Sequence, residues 1–215
     1  PRLGWRIESD EQNVMQTAYH ILVASSADLL AQGKGDIWDS GKIESDASQW
    51  ITYQGKTLKC NASYYWKVKI DTNKGATNWS APAFWTTGLF NEADWQGQWI
   101  GLDKAAPGDS ETQWSRLAAR YLRKEFAVKK SVKRATVHIA GMGLYELFIN
   151  GQRIGNQVLA PAPTDYRKTI LYNTYDVTSL LQTENAIGVT LGNGRFYTMR
   201  QNYKPYKIPT FGYPK

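Results

Sequence analysis

Apolar residues along this chain recur with a period of two, in short runs separated by Gly, Asn, Asp or Pro. The clearest run is Tyr64 to Ile70, where Tyr64, Trp66, Val68 and Ile70 fall on one side of an extended chain and Lys67 and Lys69 on the other. That alternation marks an antiparallel strand with one face in a core and one in water. Similar runs at Gly4–Glu8, Thr17–Ala24, Ile37–Lys42, Gln49–Tyr53 and Ala83–Thr87 complete a first set of predicted strands. A second set is predicted at Gln98–Leu102, Arg120–Val128, Ala135–Ala140, Leu144–Asn150, Ile170–Asp176 and Ala186–Leu191. Helical spacing is confined to Ser26–Gln32, with Ser25 or Ser26 as the cap and Gly33 as the stop. Asn150-Gly151, lying between Ile149 and Ile154, predicts a type I′ hairpin, because both residues accept positive φ. Asp176-Val177-Thr178 ahead of Leu180-Leu181 predicts a short capped turn.

These elements make an all-β chain of two tandem antiparallel β-sandwiches. The strand pattern breaks between Gly88 and Trp95, which sets the expected domains at residues 1–90 and 95–215. Charge changes at the same place. The 215 residues carry a formal +7, but residues 1–95 hold 9 basic and 11 acidic groups, and the remainder 17 and 8. The first half is therefore slightly acidic and the second strongly basic. With 42% hydrophobic and 21% charged residues, disorder is excluded. No stretch reaches the ~18–20 apolar residues of a membrane-spanning helix. A single cysteine, Cys60, excludes an internal disulfide framework. The chain starts on Pro1 without a leader and closes on Phe211-Gly212-Tyr213-Pro214-Lys215, aromatic residues suited to a strand. It is expected to be a piece of a longer polypeptide, with its second domain truncated at the C-terminal end.

The stretch Leu58-Lys59-Cys60-Asn61-Ala62-Ser63-Tyr64 resembles the tyrosine corner of fibronectin type III domains, where a Tyr hydroxyl turns back onto an upstream backbone group. Trp79-Ser80-Ala81-Pro82 sits where the last strand of that fold begins, and Trp5, Trp38, Trp66 and Trp85 are expected to fill its core. In the second half, three segments resemble the sugar-binding-like sandwiches that precede catalytic domains in glycosidases. They are Gly143-Leu144-Tyr145-Glu146-Leu147-Phe148-Ile149-Asn150-Gly151, Tyr175-Asp176-Val177-Thr178-Ser179-Leu180-Leu181 and Glu184-Asn185-Ala186-Ile187-Gly188-Val189. With Pro1-Arg2-Leu3-Gly4-Trp5, Leu159-Ala160-Pro161, Thr164-Asp165-Tyr166-Arg167 and Gly192-Asn193-Gly194, the ordered set resembles the N-terminal region of bacterial α-L-rhamnosidases. The fold so implied is fibronectin type III-like, then jelly-roll or galactose-binding-like.

The resemblance implies an enzyme that removes terminal α-L-rhamnose with inversion, its two carboxyls placed in a downstream α-helical barrel. No catalytic residue is therefore assigned here, and the chain alone is expected to be inactive. The implied partners are that C-terminal catalytic domain and rhamnose-containing glycans, with a periplasmic or secreted location favoured. A stand-alone carbohydrate-binding or cell-surface adhesion module is the alternative. Nucleic acid is not expected as a partner. The basic cluster Lys129, Lys130, Lys133 and Arg134 reads as a solvated turn, without the ordered motifs of nucleic-acid-binding folds.

A sugar site needs an aromatic face and a few planar polar groups. Two loop-like segments supply them: Asp165, Tyr166 and Arg167 in one, and Asn193, Arg195, Phe196, Tyr197 and Arg200 in the other. These residues contact carbohydrate, pack on the catalytic domain, or tie local turns. Against carbohydrate, many relatives carry Gly-Trp-Thr-Asp-Tyr where this chain has Ala162-Pro163-Thr164-Asp165-Tyr166, so Pro163 replaces a stacking ring. Gly194-Arg195-Phe196-Tyr197 likewise departs from the Gly-Trp-Tyr of the family. His20 and His138 have no acidic or His partner at ligand spacing, so no metal site is assigned. No cofactor is expected. Calcium is the one candidate, at Asp103, Asp109 and Glu111, although that loop lacks dense alternating oxygen ligands.

Overall fold

The computed structural model describes residues 1–104, 117–197 and 211–215, and it separates into two units, Pro1–Gln96 and Gly97–Lys215. The first contains β1 (Arg2–Leu3), β2 (Gln16–Ala24), α1 (Ala27–Ala31), β3 (Trp38–Glu44), β4 (Ile51–Thr52), β5 (Ser63–Thr72), β6 (Gly75–Ala76) and β7 (Ala83–Thr86). One sheet runs β3-β2-β5-β6 with β7 also paired to β5, and β1 and β4 form a small second sheet. All pairings are antiparallel.

The central strand β2 is buried on both faces. Ile21 and Val23 pack with Tyr64, Val68 and Ile70 between the two sheets. Leu22 and Ala24 face the other way, where Leu30 of α1 covers them. Ser26 caps that helix by accepting the Leu29 N–H at 3.2 Å, and Gly33 leaves it with φ +74°. The outward side of β5 is thus only partly in water. Lys67 donates from Nζ to the Leu30 carbonyl at 2.8 Å and lies 5.0 Å from the Trp79 ring centroid.

The tyrosine corner forms as the sequence predicts. Buried Tyr64 accepts the Lys59 N–H at 2.7 Å through its hydroxyl and stacks on Trp85 at 5.7 Å. Trp5, Trp38, Trp66 and Trp85 all pack against the core of this unit. The expected strand at Gly4–Glu8 does not form; the ladder lies earlier, pairing Arg2 with Thr52 and Leu3 with Ile51. Beyond Leu3 the facing segment turns at Trp50 with φ +60°, so the Trp5 N–H reaches the Ser48 carbonyl at 2.9 Å outside the ladder, while its indole N–H donates inward to the buried Gln16 Oε1 at 2.9 Å.

The second unit contains β8 (Arg120–Ala127), β9 (Thr136–Ala140), β10 (Leu144–Ile149), β11 (Gln152–Ile154), β12 (Tyr172–Asp176) and β13 (Glu184–Gly192). Its strands form one sheet in the order β11-β10-β13-β8 and a pair β9-β12. Tyr145, Leu147, Ile149, Ile154, Val177 and Leu191 make the core, with Val137, Ile139, Tyr175, Ile187 and Val189 packed around them.

Asn150 and Gly151 join β10 to β11 with φ of +51° and +81°, as a type I′ turn requires. Asn150 does more than turn the chain: its amide donates to the Leu180 carbonyl and accepts the Ala186 N–H, 3.0 and 2.8 Å away. Asp176 caps the following turn by accepting the Thr178 N–H at 2.9 Å and hydroxyl at 2.6 Å, which holds its carboxyl below the ordinary value. Gln98–Leu102, expected as a strand, has no ladder partner among the described residues, and Trp99 and Ile100 are exposed. Gly101 instead lets the backbone approach Pro214, whose carbonyl would stand 2.7 Å from an added Cβ.

Candidate functional site

The two loops singled out in the second unit meet. The first is brought to β10 where the Tyr145 N–H donates to the Ala160 carbonyl at 2.8 Å. It then turns at Asp165, whose carbonyl accepts the N–H groups of Lys168 and Thr169. The Asp165 carboxylate accepts from the Arg167 backbone N–H and Nε at 3.3 and 3.2 Å. Those bonds from Arg167 hold it below the usual carboxylate range. Asp165 and Arg167 therefore tie a turn together, and both lie exposed on its rim.

The second loop follows β13. Asn193 donates from Nδ2 to the Leu117 carbonyl at 3.0 Å, and Gly194 turns the chain with φ +51°. Phe196 and Tyr197 are thereby directed inward, at 8% and 6% exposure, while Arg195 stays on the surface. Tyr166 meets Phe196 edge-on at 5.2 Å between ring centroids. Residues 211–215 complete the cluster. Phe211 stacks on Phe196 at 6.0 Å and meets Tyr166 at 5.3 Å; Tyr213 stacks on Tyr197 at 5.5 Å. The Phe211 N–H donates to the Phe196 carbonyl at 2.9 Å, and Lys215 exchanges both backbone hydrogen bonds with Met142. Burial raises the Tyr166 hydroxyl above its ordinary value, against the nearby Arg195 charge that lowers it.

The arrangement is a half-buried aromatic seam edged by the guanidinium groups of Arg167 and Arg195. Its rings spend their faces on one another, which suits anchoring of chain segments better than stacking a sugar. Arg200 lies outside the described residues. Phe211 and Tyr213 are members that the sequence reading did not place in the site, although the aromatic chain end was their signal.

His20 has an acidic partner that spacing alone did not reveal. Its Nε2 lies 2.6 Å from Asp39 Oδ1, because a bulge in the β2–β3 pairing sets the two side chains together. Asp39 is held below the ordinary carboxylate value, first by the Gly41 N–H and then by His20. Among the described residues no three His, Cys, Asp or Glu groups form a metal cluster. Asp109 and Glu111 of the calcium candidate lie outside the described residues, and Asp103 pairs with Lys215 Nζ at 3.0 Å.

His138 makes a hydrogen bond of 2.9 Å between Nδ1 and the Thr174 hydroxyl, while its buried Nε2 has no partner among the described residues. Burial lowers its pKa below the ordinary 6.5, and the Arg134 charge acts in the same direction. Folding thus favours the neutral ring, so its contribution to stability is complete above the unfolded value and is lost as pH falls from there through the lower folded value. Melting of the second unit is expected to shift downward between pH 7.5 and pH 5.5, and His138→Gln to flatten that slope. An equal slope in the variant would assign the titration to other groups.

Among the grooves of the described surface, three are lined as follows. One of about 490 Å³ is bounded by Lys129, Lys130, Thr178 and Gln182, and one of about 260 Å³ lies over Tyr121, Arg123, Phe148 and Gly188. The third, of about 480 Å³, lies in the first unit beside Trp38 and Trp50. None of the three is lined by an Asp or Glu.

Comparison with known proteins places both halves. Residues 1–91 match the family described as Rha78A-like, N-terminal immunoglobulin domain, and residues 130–214 match the α-L-rhamnosidase N-terminal domain. An α-L-rhamnosidase of Formosa agariphila is 40% identical over 220 residues, covering 95% of this chain and 23% of that protein. One from Alteromonas sp. is 35% identical over 198 residues, with 90% and 21% covered. Among solved structures, α-L-rhamnosidase from Dictyoglumus thermophilum aligns with a TM-score of 0.81 at 40% identity, over 90% of this chain and 23% of its own. The Aspergillus terreus α-L-rhamnosidase gives 0.81 at 30% identity, over 100% and 24%. The chain spans less than a quarter of the length of each of these relatives.

Proposed function

The chain belongs to the N-terminal region of the α-L-rhamnosidases, and on that premise we propose that it is the non-catalytic front of an enzyme removing terminal α-L-rhamnose with inversion. The observation that carries this reading is the order and extent of the match: both halves align, in sequence, with one end of proteins that are four to five times longer. An inverting site holds its acid and its base about 6.5–9.5 Å apart to admit a water; in this reading that pair belongs to sequence following this region. Asp165, Tyr166, Arg167, Asn193, Arg195, Tyr197 and Arg200 then serve as a junction. The aromatic seam fixes the loops, and the exposed Arg167 and Arg195 face a neighbouring part of the same polypeptide.

The test is an assay with p-nitrophenyl α-L-rhamnopyranoside on two proteins, the 215-residue chain and the longer polypeptide that contains it. We expect no p-nitrophenol from the first, and from the second release with β-L-rhamnose as the first-formed anomer. Turnover by the short chain would overturn the non-catalytic assignment. A longer polypeptide that leaves the rhamnoside intact would overturn the enzymatic one.

A further inference from the structure

Of the tryptophans in the first unit, Trp50 is the one that stands exposed. It is 72% exposed, although tryptophan is highly buried on average. Its backbone also sits at φ +60°, a region that bulky L residues seldom occupy and that costs on the order of 1–3 kcal/mol where it persists. The Arg2 guanidinium lies 5.4 Å from the centre of the ring, which restrains the indole without covering its whole surface. An exposed ring held on a strained backbone is costly twice over, and core packing explains neither cost.

Trp50 forms one wall of the groove of about 480 Å³ described above. The remaining lining is chemically specific. Gln49, Gln54 and Thr52 stand exposed at its rim, Ser40 and Ser45 lie further along it, and the Trp38 ring contributes apolar surface. No charged side chain lines it. Two carboxamides and an indole N–H are left without a hydrogen-bond partner at the rim among the described residues. They offer donors and acceptors to a ligand that carries both and has no charge. An aromatic platform beside neutral planar amides and hydroxyls complements a pyranose, whose C–H face stacks on a ring while its hydroxyls bond sideways. Apart from the Arg2 guanidinium over the Trp50 ring, the lining offers an anionic ligand no counter-charge, and a purely apolar ligand would leave the amides unpaired.

We propose that this groove, on the immunoglobulin-like unit and separate from the aromatic seam of the second unit, is a binding site for neutral glycans with Trp50 as its stacking platform. The site holds a polysaccharide chain and does no chemistry on it. It does not depend on the rhamnosidase reading, because the ligand is recognised as a neutral pyranoside whatever the polypeptide hydrolyses.

The experiment is a titration of the 15N-labelled 215-residue chain with methyl α-L-rhamnopyranoside, methyl β-D-glucopyranoside and cellotetraose, with sodium D-galacturonate as the charged comparison. The Trp50 indole N–H signal is identified by its loss in Trp50→Phe. That signal is expected to move and saturate with at least one neutral sugar, at a Kd of about 1–10 mM, and to respond more weakly to galacturonate. Trp50→Ala is expected to weaken binding at least about tenfold with the remaining spectrum unchanged. Should that variant fail to fold, Gln49→Ala and Gln54→Ala, both at exposed rim positions, are expected to weaken binding about threefold each. A Trp50 signal that stays fixed with all three neutral sugars at 50 mM overturns the proposal. So does binding that survives both sets of substitutions, or a preference for galacturonate. None of these outcomes bears on the p-nitrophenyl rhamnoside assay.

Discussion

Gly143→Ala is expected to unfold the second unit under conditions where the parent chain is fully native, with a loss of at least about 3 kcal/mol. Gly143 has φ +150°, a conformation that a Cβ strains by itself. An added Cβ would also stand 2.4 Å from the Gly192 carbonyl oxygen and 3.2 Å from both Leu191 Cδ1 and Pro214 Cβ. The first contact is with backbone held in a ladder, since Gly192 pairs with Leu144 at the end of β13. It cannot turn aside as a side chain does. Relief would have to break the β10–β13 pairing or displace residues 211–215. Gly151→Ala separates the two effects, because Gly151 has φ +81° but nothing within 4 Å of an added Cβ. That substitution is expected to cost only about 1–2 kcal/mol. Urea denaturation followed by circular dichroism measures both, and equal losses at the two positions would remove the steric argument.

Phe196→Ala has the second largest expected effect, about 3–5 kcal/mol. Phe196 is 8% exposed and touches the rings of Tyr166 and Phe211, so it joins the first loop, the second loop and residues 211–215. Truncation leaves a cavity that three separate segments border, and none of them can close it alone. Arg195→Ala, one residue earlier and exposed, is expected to change stability by no more than about 0.5 kcal/mol. The contrast tests what these loops are for. A junction built on buried rings melts when Phe196 is removed, whereas an open sugar platform loses ligand and keeps its stability. Chemical denaturation of the two variants reads the difference, and a near-neutral Phe196→Ala would argue against the anchoring role.

Much of the fold was legible because it is local. The alternation from Tyr64 to Ile70, the Asn150-Gly151 turn, the Asp176 cap and the Ser26–Gly33 helix limits each rest on residues within one turn or strand of one another. The tyrosine corner was legible for the same reason, spanning Lys59 to Tyr64. Gly4–Glu8 and Gln98–Leu102 were not, because an apolar run states that a segment is buried or extended without stating what it pairs with. Trp5 spends its indole on Gln16, and Gly101 runs against Pro214, both partners being remote in sequence. The candidate loops were half legible. Asp165 and Arg167 close a turn two residues wide, but nothing near them announces the Tyr166 contact with Phe196 or Phe211.

By itself, then, the sequence determined an all-β chain, its hairpins, the corner that locks the first unit, and the ordered motifs of the α-L-rhamnosidase N-terminal region. Trp5, Trp38, Trp66 and Trp85 were legible as core, but only the tertiary structure decided the place of the other aromatic residues. Trp38 and Trp50 occupy similar amphipathic stretches, yet one packs into the sandwich and the other stands 72% exposed beside a neutral groove. The same holds for Phe196 and Tyr197, which the sequence offers as a surface and the fold turns inward. Periodicity is a property of neighbouring residues and survives in the sequence; burial depends on which distant strand arrives on the other side.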